Sequence, residues 1–120
     1  MAGQFDFHVV TIPVVLTGAT EVPLIHIPNG GGGIRVLEAD MLNAGTAVTG
    51  ILVTMTDAGT PAISGTIGSF AGTISASATI PAALTVTDGY VAAGEWIGFD
   101  QASGTVPAGS FISLSYIVGK

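Results

Sequence analysis

The sequence predicts an all-β fold: an antiparallel β-sandwich of about eight strands, jelly-roll-like in its organisation. Three observations carry this expectation. Of 120 residues, 38 are β-branched (12 Val, 12 Ile and 14 Thr), the types whose side chains pack best on a pleated surface. They fall in short runs, separated roughly every 8 to 15 residues by Gly, Pro, Asn or Asp. No window holds an i, i+3, i+4 apolar stripe, and 18 Gly with 6 Pro would interrupt most helices.

The elements follow in order. Residues 7–16 and 22–27 are apolar runs closed by Thr17-Gly18 and by Pro28-Asn29-Gly30. Residues 34–41 end before Asn43-Ala44-Gly45, with at most one helical turn expected near 40–43, and residues 48–56 end at Asp57-Ala58-Gly59. Residues 62–67 form the next candidate. Strict alternation then marks 73–80, where Ile74, Ala76, Ala78 and Ile80 alternate with hydroxyl-bearing residues, as a half-buried strand requires. A strand at 84–86, with an extension to 91, surrounds Asp88-Gly89. Residues 95–101 follow Ala93-Gly94. The last strand, 111–118, follows Pro107-Ala108-Gly109 and turns Ile112, Leu114, Tyr116 and Val118 to one face, with Ser113 and Ser115 on the other. Eight strands suit a jelly roll better than a seven-strand immunoglobulin-like sandwich, whose Cys and Trp pairing is missing here.

A chain of 11.9 kDa readily supports one core. Residues 8–120 are therefore read as a single β-sandwich domain, and 1–7, with Phe5 and Phe7, as an N-terminal arm or the first strand of that sandwich.

Composition removes several function classes. Charged residues make up 8% of the chain, against roughly 25% in an ordinary domain. Only Arg35 and Lys120 are cationic and the net charge is −6, so no basic patch can form for nucleic acid or anionic lipid. Mean hydropathy is +0.72, yet every apolar run is interrupted well before the 18 or so residues of a membrane helix. No basic segment precedes an apolar run at the start, so an unprocessed N-terminus is expected. The absence of Cys removes disulfides, thiolate nucleophiles and zinc–thiolate sites.

No motif carries chemistry. Gly30 to Gly33 matches neither a dinucleotide fingerprint nor a P-loop, and reads as a loop that orders against a partner. Gly68-Ser69-Phe70-Ala71-Gly72 has its Ser one place too early for a nucleophile elbow. His8 and His26, with Asp6 or Glu21, lack any recognised metal-ligand spacing, and read as ordinary strand residues. Asp57, Asp88 and Asp100 are assigned to turns, where Asx hydrogen bonds explain them without calcium. Tyr90, Trp96 and Phe99 would make a sugar-stacking platform only if Tyr90 joined Trp96, because Trp96 and Phe99 fall on opposite faces of one strand. No catalytic, metal or cofactor residue is assigned.

The informative feature is what the strands lack. Exposed sheet edges are ordinarily protected by Lys, Glu, Pro or bulges, and this chain has almost no charge for that purpose. Edges and one outer face are expected to be covered by other protein. A surface of Thr, Ser, Ala and Gly suits that role, since it loses little side-chain entropy on burial. Phe5, Phe7, Tyr90 and Trp96 are the candidate partner contacts.

In the Gly-rich loop between Pro28 and Ile34, and in the closing segments from Ala93 to Phe99 and from Val106 to Tyr116, the chain resembles the small jelly-roll decoration, or cement, proteins of tailed-bacteriophage heads. The resemblance implies a structural virion protein on the outer capsid surface. It would be a homotrimer that binds the major capsid protein and stabilises the shell, with no cofactor and no catalysis. A tail-fibre or receptor- or carbohydrate-binding β-sandwich module is the alternative.

Overall fold

A computed structural model describes residues 7–14, 21–42, 49–56, 62–70, 82–103 and 110–119. In chain order the strands are β1 (Phe7–Pro13), β2 (Glu21–His26), β3 (Ile34–Leu42), β4 (Thr49–Met55), β5 (Ile63–Phe70), β6 (Ala82–Val86), β7 (Tyr90–Val91), β8 (Trp96–Ser103) and β9 (Phe111–Val118). All pairings between them are antiparallel.

The pairing is nested. Setting aside the two-residue β7, the first strand pairs with the last (β1–β9), the second with the penultimate (β2–β8), the third with the sixth (β3–β6) and the fourth with the fifth (β4–β5). A long hairpin wrapped on itself has this wiring, so the chain is a jelly roll. One sheet runs β1-β9-β3-β6 and the other β5-β4-β8-β2. They join at β6, which pairs with β3 through Ala82 and Ala83 and with β5 through Leu84 to Val86. Among the described residues, β1 and β2 stand at the two ends of this order.

Alternation within the strands fills the space between the sheets. Val36, Ala39, Met41, Ile112 and Leu114 enter from the first sheet, and Leu52, Ile67, Ile97 and Phe99 from the second, in one cluster of buried side chains. Each fully buried large apolar side chain stabilises the fold by roughly 1.5–3 kcal/mol relative to exposure. In β3 the alternation survives a bulge between Val36 and Glu38: Leu37 is the extra residue, 41% exposed, and Ala39 and Met41 still point inward.

Several elements differ from the sequence reading. The fifth strand runs on to Phe70 instead of stopping at 67, because Gly68 lets β5 pass the β6 backbone closely; a Cβ there would stand 2.3 Å from the Thr85 carbonyl oxygen. Residues 40–42 belong to β3 and not to a helical turn, since Asp40, Met41 and Leu42 are held in register by Ser113, Ile112 and Phe111. The extension of 84–86 to 91 is broken: Tyr90 N–H donates to the Asp88 carboxylate, an Asx turn that ends one strand and starts β7. Val118 is 65% exposed rather than inward-facing, as β9 there runs past the first β1 pair, Phe7 with Ile117. Asp100 lies within β8 and not in a turn, opposite Glu21 and Ile51. The alternating segment 73–80 and Phe5 lie outside the described residues. Phe7 is the first residue of β1 and so part of the sandwich. Among the described residues no helix is long and apolar enough to cross a membrane.

Candidate functional site

Among the described residues, several side chains that could support chemistry are committed to local structure. Glu95 accepts the Ser64 hydroxyl at 2.6 Å through one oxygen and the Ala92 N–H at 3.1 Å through the other. Ser64 also bonds the buried Thr54 hydroxyl at 2.9 Å. Both carboxylate oxygens therefore serve the turn before β8 and its link to β5. Ser69 is an exposed residue of β5, in the middle of a strand rather than at a strand-to-helix corner. His8 packs on Tyr116 in the first sheet with ring centres 5.3 Å apart, and His26 packs on Trp96 in the second at 4.9 Å. The two histidines thus sit on different sheets. Among the described residues no three His, Cys, Asp or Glu groups converge on a metal position.

The aromatic candidates separate in the same way. Tyr90 sits in β7 beside β3, and its hydroxyl donates to the Gly32 carbonyl at 3.1 Å. The Gly119 N–H donates to the Gly33 carbonyl at 2.8 Å, so the Gly-rich loop is anchored from two directions at its second half. The left-handed φ of Gly33, 84°, lets the chain turn there with the Val91 carbonyl packed close behind. Gly30 and Gly31 face open space. Trp96 is half-buried in β8 against His26, while Phe99 lies fully in the core. Tyr90 and Trp96 therefore belong to different sheets and form no shared platform.

The two sheets differ in how their outer faces are covered. On the second, Val53 and Met55 are completely buried although they stand apart from the central cluster. Their β8 partners are Gly98 and Trp96, and the end of the Met55 side chain lies over Gly98 where a Cβ would stand. That face is closed over its middle. On the first sheet the register sets out cross-strand rows: Phe7–Ile117–Arg35, Val9–Ser115–Glu38, Thr11–Ser113–Asp40 and Pro13–Phe111–Leu42. Phe7 is 57% exposed and Val9 66%, and Glu38 and Asp40 are exposed too. A shallow depression of about 150 Å³ lies between the strands, with Val9, Glu38, Asp40, Ser113 and Ser115 on its walls. Thr11 and Ser113 close their row with a hydroxyl–hydroxyl bond of 3.0 Å. This open face is apolar toward its ends, with hydroxyls and the carboxylates of Glu38 and Asp40 in its middle.

Of the four candidate contacts, the open face includes Phe7; Tyr90 borders it through its pairing with Arg35. Trp96 lies on the other sheet. Val9 was not among the candidates, although period-two alternation from Phe7 places it on the same face two residues on.

Among the described residues electrostatics add one perturbed group. Asp100 has its carboxyl pushed above the ordinary range, first by partial desolvation and then by the charge of Glu21, its cross-strand neighbour.

No protein-family model, curated protein or solved structure matches the chain.

Proposed function

We propose that this chain is a structural virion protein that coats the outer surface of a capsid shell, binding the major capsid protein and stabilising the assembled lattice without catalysis. One observation carries the reading: the outer face of the β1-β9-β3-β6 sheet is open, with Phe7 and Val9 exposed at its edge, in a chain whose charged residues are only 8% of the total. Beside the carboxylates of Glu38 and Asp40, such a face is well supplied with small hydroxyl side chains that pack closely. The jelly-roll wiring supports the reading at the level of architecture alone. The commitment of Glu95, Ser64 and both histidines to structural contacts supports a binding role over a chemical one.

The mechanism is mass action. A ligand that binds the assembled shell and not its separated subunits stabilises assembly by the free energy of binding, and many copies acting together multiply the effect. The test is the copy number of this chain in purified particles from its source, relative to the major shell protein. A comparable number is expected. A handful of copies would move it to a tail or fibre tip, and absence from particles would remove the virion reading.

A further inference from the structure

Two dipeptides of the chain, Asn29-Gly30 and Asp88-Gly89, set a side-chain carbonyl carbon one residue before a glycine. The backbone nitrogen of such a glycine can attack the preceding side chain, because no Cβ stands beside it to obstruct the approach. The structure separates the two. Asp88-Gly89 is held in place. Its carboxylate accepts the Tyr90 N–H at 3.3 Å, the Asp88 N–H donates to the Ile67 carbonyl at 3.1 Å, and the Gly89 carbonyl accepts the Val36 N–H at 2.8 Å. The Val36 backbone packs directly against Gly89. Asn29 and Gly30, by contrast, are exposed turn residues between β2 and β3. A Cβ on Gly30 would meet nothing within 4 Å, and among the described residues no backbone carbonyl accepts the Gly30 N–H.

We propose that Asn29 is a site of spontaneous covalent modification in the folded protein, where attack by the Gly30 nitrogen converts the loop between β2 and β3 to aspartyl and isoaspartyl forms. In the first step the Gly30 nitrogen gives up its proton and bonds to the Asn29 Cγ. The Cγ–Nδ2 bond breaks and ammonia leaves with that proton, so a five-membered succinimide ring remains. Solvent water then adds to one of the two ring carbonyls. Opening at the side-chain carbonyl gives aspartate. Opening at the main-chain carbonyl leaves the chain joined to Gly30 through the former side chain, with the main-chain carboxylate free. Nothing is oxidised or reduced, and water is the only co-reactant. Each product adds a negative charge to a chain already at −6, and the isoaspartyl form also adds a methylene to the backbone. The change falls at a junction. The Asn29 carboxamide oxygen lies 2.5 Å from where a Cβ on Gly94 would stand, and the Gly94 N–H donates to the Ile27 carbonyl at 2.8 Å, in the turn between β7 and β8. The proposal stands apart from the shell-binding reading, because it is tested on the free protein and not on particles.

The experiment follows the mass of the folded full chain during incubation at physiological temperature and slightly alkaline pH. Arg35 is the only Lys or Arg before Lys120, so trypsin yields fragment 1–35, in which Asn29 is the only Asn, and fragment 36–120, which holds Asn43 and Asp88. Fragment 1–35 should gain, with time, the mass that exchanges an amide NH2 for OH, and should accept methyl groups from a protein isoaspartate methyltransferase. Fragment 36–120 should do neither at a comparable rate. Gly30→Ala fits the open surroundings of Gly30, whose φ lies outside the left-handed region, so this variant should keep its circular dichroism and react several-fold more slowly. If fragment 1–35 from the folded chain keeps its mass while that from urea-unfolded chain gains it, the turn protects Asn29 and the proposal is overturned. Faster modification of fragment 36–120, or a Gly30→Ala variant that reacts at the wild-type rate, would overturn it too.

Discussion

Ser64 and Glu95, 31 residues apart in sequence, are joined by a 2.6 Å hydrogen bond from hydroxyl to carboxylate. The bond ties β5 to the turn that launches β8. The second Glu95 oxygen and its backbone tie the same turn to Ala92, and the Glu95 carbonyl accepts the N–H of Ile27 just after β2. Three parts of the second sheet thus meet at one residue. Hydrogen bonds to charged groups contribute roughly 1.5–3 kcal/mol when sheltered and less when exposed, as here. Glu95→Ala should therefore lower unfolding free energy by about 1–2 kcal/mol and Ser64→Ala by about 0.5–1.5 kcal/mol. The double variant should cost less than the sum, since both remove the same bond. Urea denaturation of the four proteins checks this, and strict additivity would show the bond to be idle.

Glycines at close approaches should be far less tolerant than those in the Gly-rich loop. A Cβ on Gly89 would stand 2.2 Å from the Val36 carbonyl oxygen, where Val36 N–H also donates to the Gly89 carbonyl at 2.8 Å. Backbone cannot yield as a side-chain tip can, so Gly89→Ala should destabilise by about 2 kcal/mol or more. Gly31, with nothing within 4 Å, should accept Ala with no loss and a gain of up to about 1 kcal/mol from the stiffer unfolded chain. Thermal melts of the two variants side by side decide it; equal losses would contradict the contrast.

The strands and their wrapping were legible because β-branched residues and turn signals report local geometry, and the nested pairing follows once hairpins must share one core. What escaped was set by other strands. The candidate strand stops at 67 in the sequence, and only the approach of Thr85 explains why β5 continues through Gly68. Asp100 reads as a turn residue, and it is the pairing with Glu21 and Ile51 that holds it in β8. The separation of Tyr90 from Trp96 depends on β7 joining β3 while β8 joins β4, a choice that two neighbouring segments do not encode locally. The shortage of charge to protect sheet edges was legible, but which strands stand at the ends of the order required the pairings themselves.

Stability should carry a signature of Asp100. Its carboxyl is raised in the folded protein by desolvation and by Glu21, so the folded state holds the proton more tightly than the unfolded chain does. The resulting stabilisation is complete below the unfolded carboxyl range and is lost as pH rises through the folded value. At neutral pH the charged Asp100 is therefore unfavourable, and Asp100→Asn should raise Tm there, with the advantage shrinking as pH falls toward 4, the neighbourhood of an ordinary Asp. Because the side chain is partly exposed, solvent screening keeps the effect small. Melting wild type and variant in parallel across pH isolates this residue; a Tm difference independent of pH would exclude the coupling.

The last prediction concerns a fitted pair in the core. Phe99 is fully buried, its ring 6.2 Å from that of Phe70, and it extends over Gly50, where a Cβ would lie 2.3 Å from the ring tip. Phe99→Ala should cost about 3–5 kcal/mol through lost burial and the cavity left behind. Gly50→Ala should also destabilise, by about 1–3 kcal/mol, because the ring must move in a packed core and the Asp100 carbonyl oxygen, 2.8 Å away, blocks escape on the other side. The two sites share one volume, so their effects should not add. Phe99→Leu removes the ring tip that an Ala methyl at position 50 would strike, and in that background Gly50→Ala should cost less than in the wild type. Equilibrium unfolding of the four proteins gives the coupling directly. A coupling of zero would show that the steric conflict at Gly50 lies with the Asp100 backbone and not with the ring.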